Sequence, residues 1–297
     1  MNAEVSCVGI LHFGDLGSAI GRLLQQSKKE IRLVTCAAGR SSKTSERAAG
    51  LSVEDLGSLD KVLEVADIVL SVVVPDAALS VAKECAERVC LAKTECLFVD
   101  MNSTGISDIQ QIQHAVESAG LRFANATVHG GTKHLEEMGV VYASGTFRAE
   151  VVRLYAGLLR VEDLGDDVLL ASQMKLLMGA QSKCLNVLFL EVALLASRLG
   201  LLDDFLAEQE AFYPAMYNAI ERMLPTYPDH ASRRVSELNG VVDLAQLAGN
   251  GGEVFQVMRD RLLNAADRWT ADGDLTGTLK STIKRIADSD RLSNEKE

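Results

Sequence analysis

Over its first 145 residues the chain repeats one pattern, and nothing else in it constrains the fold as strongly. Short apolar runs rich in β-branched residues alternate with amphipathic helical segments. Residues 5–11 (VSCVGIL) end at a glycine-containing turn, after which SAIGRLLQQS continues with helical spacing. IRLVTC then precedes SKTSERAAG, ADIVLSVVV precedes PDAALSVAKECAERV, and ECLFVDM precedes a helical pattern over residues 107–119. Runs that are apolar throughout are strands covered on both faces, so this is an α/β chain with a mostly parallel, doubly wound sheet. Pro75, directly after Val72-Val73-Val74, stops its strand and suits the first turn of the next helix. LRFANATV and GVVYASG complete the sheet before a helix over residues 147–159.

After Gly165 strand-like segments give way to helical periodicity, first in a very long stretch over residues 166–199 and then at 204–219, 229–247, 252–270 and 281–292. The expected organisation is a sheet domain, 1–165, and an all-helical domain, 166–297, joined by a continuous helix, with the polar tail SNEKE frayed. A length of 297 residues suits two domains of roughly 150 each.

Composition narrows the partners. The net charge of −11, with no Lys/Arg cluster, opposes binding to nucleic acid or to anionic membranes but leaves room for a local basic pocket. Six cysteines without a C-x-x-C pair read as small apolar residues of a reducing compartment. The N-terminus lacks a secretory pattern, and Lys175, Lys183, Glu191 and Arg198 interrupt the most apolar stretch, 168–202, so the expected location is the cytoplasm. No metal is expected: the five histidines form no H-x-x-x-H pair, and His129 and His134 are a coincidence of a glycine-rich loop.

The first run leads into His12-Phe13-Gly14-Asp15-Leu16-Gly17, with Gly21 one turn later. A dinucleotide-binding Rossmann domain wants G-x-G-x-x-G here, to turn the chain, admit the pyrophosphate and pack helix on strand. His12 stands where the first glycine belongs, while Gly14 and Gly17 keep the spacing that lets helix N-terminal N–H groups face an anion. The cofactor contacts read from this loop are Phe13, Gly14, Asp15, Leu16 and Gly17, with Val74 and Pro75 after the VLSVVV run. A strand–helix turn that binds nothing is the competing reading. At the end of the second strand an acid would hold the 2'-hydroxyl of NAD, whereas Arg accommodates the 2'-phosphate of NADP. Residues 34–44 contain no acid and offer Arg40, Ser41, Lys43 and Thr44, which favours NADP(H) over a merely solvated basic turn.

The order of VGILHFGDLG, GRSSKT, VLSVVVP, VDMNST, ATVHGG and ASQMK resembles, over essentially the whole chain, the β-hydroxyacid dehydrogenase and 6-phosphogluconate dehydrogenase-like superfamily. It looks most like a short branch whose C-terminal part is a domain of unknown function. Asp100-Met101-Asn102-Ser103, then Ala171-Ser172-Gln173-Met174-Lys175 with Lys183 eight residues on, match that branch, and His230-Ala231-Ser232-Arg233-Arg234 followed by Glu237 is similar to it.

The resemblance implies hydride transfer between NADP(H) and a small carbonyl or β-hydroxy acid, with Lys175 as general acid/base. It places Asn102 and Ser103 on the substrate-side loop, and His129, Gly130 and Gly131 where the family has Ser-Gly-Gly. The plainer readings are a snorkelling lysine, a helix N-cap at Ser103 or Thr104, and a simple glycine turn.

His12, His129 and Gly179 depart from the family, the last standing where an Asn follows the lysine by four residues; Lys183 would substitute as a substrate contact. These departures oppose a housekeeping 6-phosphogluconate dehydrogenase. They leave two alternatives: an NADPH-dependent imine reductase, disfavoured by Lys175, and a nucleotide-binding protein with reduced or no catalysis. A small helical domain with a long apolar opening helix also predicts a homodimer through that domain.

Overall fold

The computed structural model describes residues 5–27, 30–89, 95–132, 135–227, 230–269 and 277–294; Cys90, His134 and the end of the polar tail lie outside them. The chain divides into two compact units, Met1–Lys175 and Leu176–Glu297.

The first unit is built on an eight-stranded sheet in the order β3-β2-β1-β4-β5-β6-β7-β8. Its strands are β1 (Cys7–Ile10), β2 (Arg32–Thr35), β3 (Glu54–Asp55), β4 (Ile68–Ser71), β5 (Leu97–Asp100), β6 (Arg122–His129), β7 (Val140–Ser144) and β8 (Arg160–Asp163). Pairing is parallel from β3 through β6, β7 runs antiparallel to β6, and β8 is parallel to β7. Strand order reverses between β1 and β4, the place where open α/β sheets bind ligands at the carboxyl ends of their strands.

The apolar runs became strands for the expected reason. All of β1, β4 and β5 is buried, and one core cluster lies on each face of the sheet. The helices that cover it are α1 (Asp15–Gln25), α2 (Ser42–Gly50), α3 (Leu59–Val65), α4 (Pro75–Glu87), α5 (Ile106–Ser118), α6 (Leu135–Met138) and α7 (Arg148–Tyr155). Pro75 opens α4, where its missing N–H costs nothing.

Two strands escape the sequence pattern. β3 is a pair of exposed acids, and β8 (RVED) is a half-exposed edge, so neither has the apolar run that marks a buried strand. The helix expected over 147–159 stops at Tyr155, because Gly157 at φ 80° turns the chain into β8.

The second unit is helical throughout its described residues. α8 (Leu170–Arg198) begins in the first unit and continues into the second. It is followed by α9 (Leu202–Phe212), α10 (Pro214–Met223), a 3-10 turn (Leu224–Thr226), α11 (Ala231–Leu247), α12 (Glu253–Trp269) and α13 (Leu279–Asn294). The single helix expected over 204–219 is two, since Pro214 has no N–H to continue α9 and instead starts α10. Val187, Phe189, Leu190, Ala193 and Leu194 of α8 form the core of this unit with Leu206, Ile220, Leu238, Leu262 and Ile283.

The charges on α8 do not by themselves exclude a membrane span, because its most apolar 18-residue window averages a hydropathy of 1.3 and the helix is long enough to cross. A third of that window is buried inside the protein.

Candidate dinucleotide and substrate site

The loop between β1 and α1 is shaped by its glycines. A Cβ on Gly17 would stand 1.9 Å from the His12 carbonyl oxygen, so no side chain fits there. A Cβ on Gly21 would meet the Phe13 ring at 3.0 Å, which seats the helix on the loop. Gly14 is the N-cap of α1, no side chain caps it, and the first N–H shown bonded to the loop is that of Ser18, to the Gly14 carbonyl. The first turn is therefore open to an acceptor, and helix N-termini of this kind hold phosphate. The loop fits a dinucleotide even with His12 in place of a glycine. The His12 Nδ1 is buried with no partner, and burial, then Arg40 and Arg47, hold its pKa below the usual histidine value.

Arg40 and Lys43 are exposed at the turn after β2. Ser41 is the N-cap of α2, its Oγ accepting from the Thr44 N–H at 3.4 Å, and Thr44 is buried, so these two hold the turn together. Arg47, one helical turn after Lys43, was not singled out in the sequence; it pairs with Asp15 at 2.5 Å beside the phosphate loop. Asp55, on β3, brings a carboxylate near the end of β2, but one oxygen accepts from the backbone N–H groups of Ala37 (3.1 Å) and Gly57 (2.9 Å). Val74 and Pro75 are exposed at the start of α4.

Across the middle of the sheet runs a feature the sequence reading missed. Ser71, Asp100, Asn125 and Ser144 are register partners on β4, β5, β6 and β7, and all four are completely buried. Asn102 clamps one end of the row. Its Nδ2 donates to Asp100 Oδ1 (2.6 Å) and Ser71 Oγ (3.0 Å), and its Oδ1 accepts from the Val73 N–H (2.7 Å). The Asn102 amide is thus spent on the loop.

The other end of the row anchors the first turn of α8. Asn125 Nδ2 donates to the Val168 carbonyl (2.8 Å) and Ser172 Oγ (2.9 Å), Thr127 Oγ1 donates to the Ala171 carbonyl (2.9 Å), and Ser144 Oγ accepts from the Ala171 N–H (3.1 Å). Lys175 lies three residues after Ser172, on the same face of the helix. It is half-buried, and its charge acts on Asp100. Burial lifts the Asp100 carboxyl to about 7, against the lowering pull of the Asn102 hydrogen bonds and of Lys175.

Ser103 is exposed after β5 and does not cap α5, whose N-cap is Gly105; Thr104 Oγ1 is buried without a partner. His129 ends β6 with its ring tilted against Tyr142, centroids 6.5 Å apart. Gly130 has φ 121° and packs against Gly139, so it is a turn glycine by necessity, and Gly131 is open.

Lys183 belongs to the helical unit, where its Nζ pairs with Glu237 at 2.6 Å and bonds the Gly179 carbonyl at 3.3 Å. A Cβ at position 179 would sit 2.8 Å from that Nζ, the mobile end of a lysine side chain that can move aside.

The model for the NAD binding domain of 6-phosphogluconate dehydrogenase matches residues 7–155, half of the chain, and a domain of unknown function (DUF1932) matches residues 196–264. Among solved structures, a conserved hypothetical protein of Sinorhizobium meliloti is 22% identical, covering 97% of both chains at a TM-score of 0.73. The 3-hydroxyisobutyrate dehydrogenase of Mycobacterium tuberculosis is 16% identical, over 94% of this chain and 98% of that one, at 0.72. An imine reductase variant of Myxococcus stipitatus is 15% identical, over 96% and 99%, at 0.59. The fold is that of hydroxyacid dehydrogenases, and the chain belongs to the 6-phosphogluconate dehydrogenase-like family of NAD-binding proteins, in the form that carries the DUF1932 domain.

Proposed function

We propose that the protein is a soluble, cytoplasmic NADP(H)-dependent oxidoreductase that moves hydride between the nicotinamide and a small carbonyl or β-hydroxy acid, with Lys175 as general acid/base. One observation carries the reading: the first turn of α8 is bolted to the sheet by Asn125, Thr127 and Ser144, which sets Lys175 one helical turn from the buried polar row, where its charge acts on Asp100. A bound nicotinamide would supply or accept the hydride. Lys175 would deliver the proton to the substrate oxygen on reduction and remove it on oxidation. Ser103, His129 and the open backbone of Gly131 would hold the substrate.

NADP(H) is preferred over NAD(H) because Arg40, Lys43 and Arg47 surround the turn after β2, while the nearby carboxylate of Asp55 is occupied by backbone N–H groups. Following the absorbance of NADPH with a panel of small β-keto acids, aldehydes and cyclic imines tests the reading. Wild-type enzyme should reduce a carbonyl compound, and Lys175→Ala should slow that turnover by about 10²–10⁴-fold while NADPH still binds. Full turnover in Lys175→Ala would remove the lysine from the chemistry, and turnover of imines alone would make the protein an imine reductase.

The assembly we propose is a homodimer through α8. Leu185, Leu188, Val192, Leu195 and Leu199 recur at alternating three- and four-residue spacing and are 40–64% exposed, an apolar seam on the face opposite the core. Glu191, beside the seam, is ion-paired within the chain with Arg261 of α12.

A further inference from the structure

We propose that Asp100 is the positioning residue of this site: its buried carboxylate, clamped by Asn102, draws the Lys175 ammonium to the carboxyl edge of β5 and keeps it charged between turnovers. The proposal rests on the reading of Lys175 above and adds to it the group that controls the lysine.

Three observations converge. Asp100 and Asn125 are register partners on adjacent parallel strands, so their side chains share one face of the sheet roughly 5 Å apart. Asn125 holds Ser172, and Lys175 follows one helical turn later on the same side of α8. The two hydrogen bonds to Asp100 both come from Asn102, at 2.6 and 3.3 Å, so the carboxylate keeps lone pairs in reserve for a cation. Next to it the Asn125 Oδ1 is buried without a partner, a second acceptor on the same face.

The charged groups acting on Asp100 are Lys175, which favours its ionised form, and Asp108 of α5, which opposes it. Burial outweighs both and holds the carboxyl near 7, so Asp100 changes charge in the physiological range. Above that point the ionised carboxylate stabilises the ammonium. Below it Asp100 is neutral, and the half-buried lysine gives up its proton more readily.

Competitive labelling of lysines with trace acetic anhydride, read by peptide mass spectrometry across pH, measures this without substrate or dinucleotide. It is applied to the full-length protein with exposed Lys43 as internal reference. In wild type the reactivity of Lys175 relative to Lys43 should fall as pH rises through about 7. Asp100→Asn removes the charge and keeps the shorter Asn102 bond, to one oxygen, while losing the one at 3.3 Å; it should raise Lys175 reactivity about twofold near pH 7 and about tenfold by pH of about 9, and abolish the inflection, because an adjacent opposite charge moves a pKa by one unit or more.

A flat wild-type ratio, or equal reactivity in the two proteins, overturns the proposal. The wild-type profile alone decides the matter if Asp100→Asn does not fold. A shifted lysine in an enzyme that proves indifferent to Lys175→Ala would uphold the pair and overturn the functional reading; an essential Lys175 with no shift would do the reverse.

Discussion

At Gly17 the cost of a single methyl group can be read directly from the backbone. An alanine there would push its Cβ into the His12 carbonyl, and the clash is with main chain, so no rotamer relieves it. Gly17→Ala should therefore move the loop away from α1, weaken NADPH binding at least about tenfold in a fluorescence titration and destabilise the protein by about 1–3 kcal/mol. Unchanged affinity would mean that the loop is not the phosphate site.

Asp100 carries a prediction of a different kind. Its carboxyl sits near 7 in the folded protein and at 3.8 without the fold, so between those values the folded chain holds a proton that the unfolded chain has released. The stability this confers is complete below the lower value and is lost as pH rises through the upper one, a swing of roughly 4 kcal/mol at most. Wild type should melt at lower temperature at pH of about 8 than at about 5, and Asp100→Asn should flatten that difference.

These residues were unequally legible. Gly14 and Gly17 are visible because a dinucleotide loop needs small residues at fixed spacing. Asp100 and Ser71 entered the sequence reading only inside motifs, and Asn125 and Ser144 only inside strand segments. A single polar residue in an apolar run is unremarkable by itself, and only sheet register brings the four into one row. A comparison of where the polar residue falls in IVLS, LFVD and VVYAS would have been the available signal, since each closes its strand.

Among the elements α8 does the most. One of its faces packs the helical core, its first turn is stitched to β6 and β7, and its outer face carries the leucine seam. Leu195→Glu should dissociate the proposed dimer by light scattering at micromolar concentration, weakening association about 30-fold or more while leaving the melting of the subunit largely intact, because the side chain is already exposed. A wild-type monomer, or a dimer that Leu195→Glu leaves intact, would discard the seam.

The long helix was readable from its periodicity, with boundaries only a few residues off. The division into α9 and α10 was hidden because Pro214 interrupts the backbone without disturbing the apolar pattern on either side. β3 and β8 were hidden because edge strands bury little and so select no apolar run.

At the scale of the molecule, alternating strands and helices followed by helices alone were enough to give an α/β sheet domain and a helical remainder, because burial on two faces leaves a compositional trace. The reversal of β7 leaves no such trace. An antiparallel strand buried on both faces has the same apolar run as a parallel one, and only the short connection through α6 points to it. The influence of Lys175 on Asp100 was likewise out of reach, since the two are connected through Asn125 and Ser172, residues far apart in sequence.

Everything functional depends on a reduced dinucleotide lying along the loop from Gly14 to Gly17. Titration of the full-length protein with NADPH, followed by nicotinamide fluorescence beside a parallel titration with NADH, measures this directly. Saturable binding of one NADPH per chain, tighter than NADH and weakened by Arg40→Ala, is the predicted result. No saturable binding of either nucleotide at millimolar concentration would contradict it.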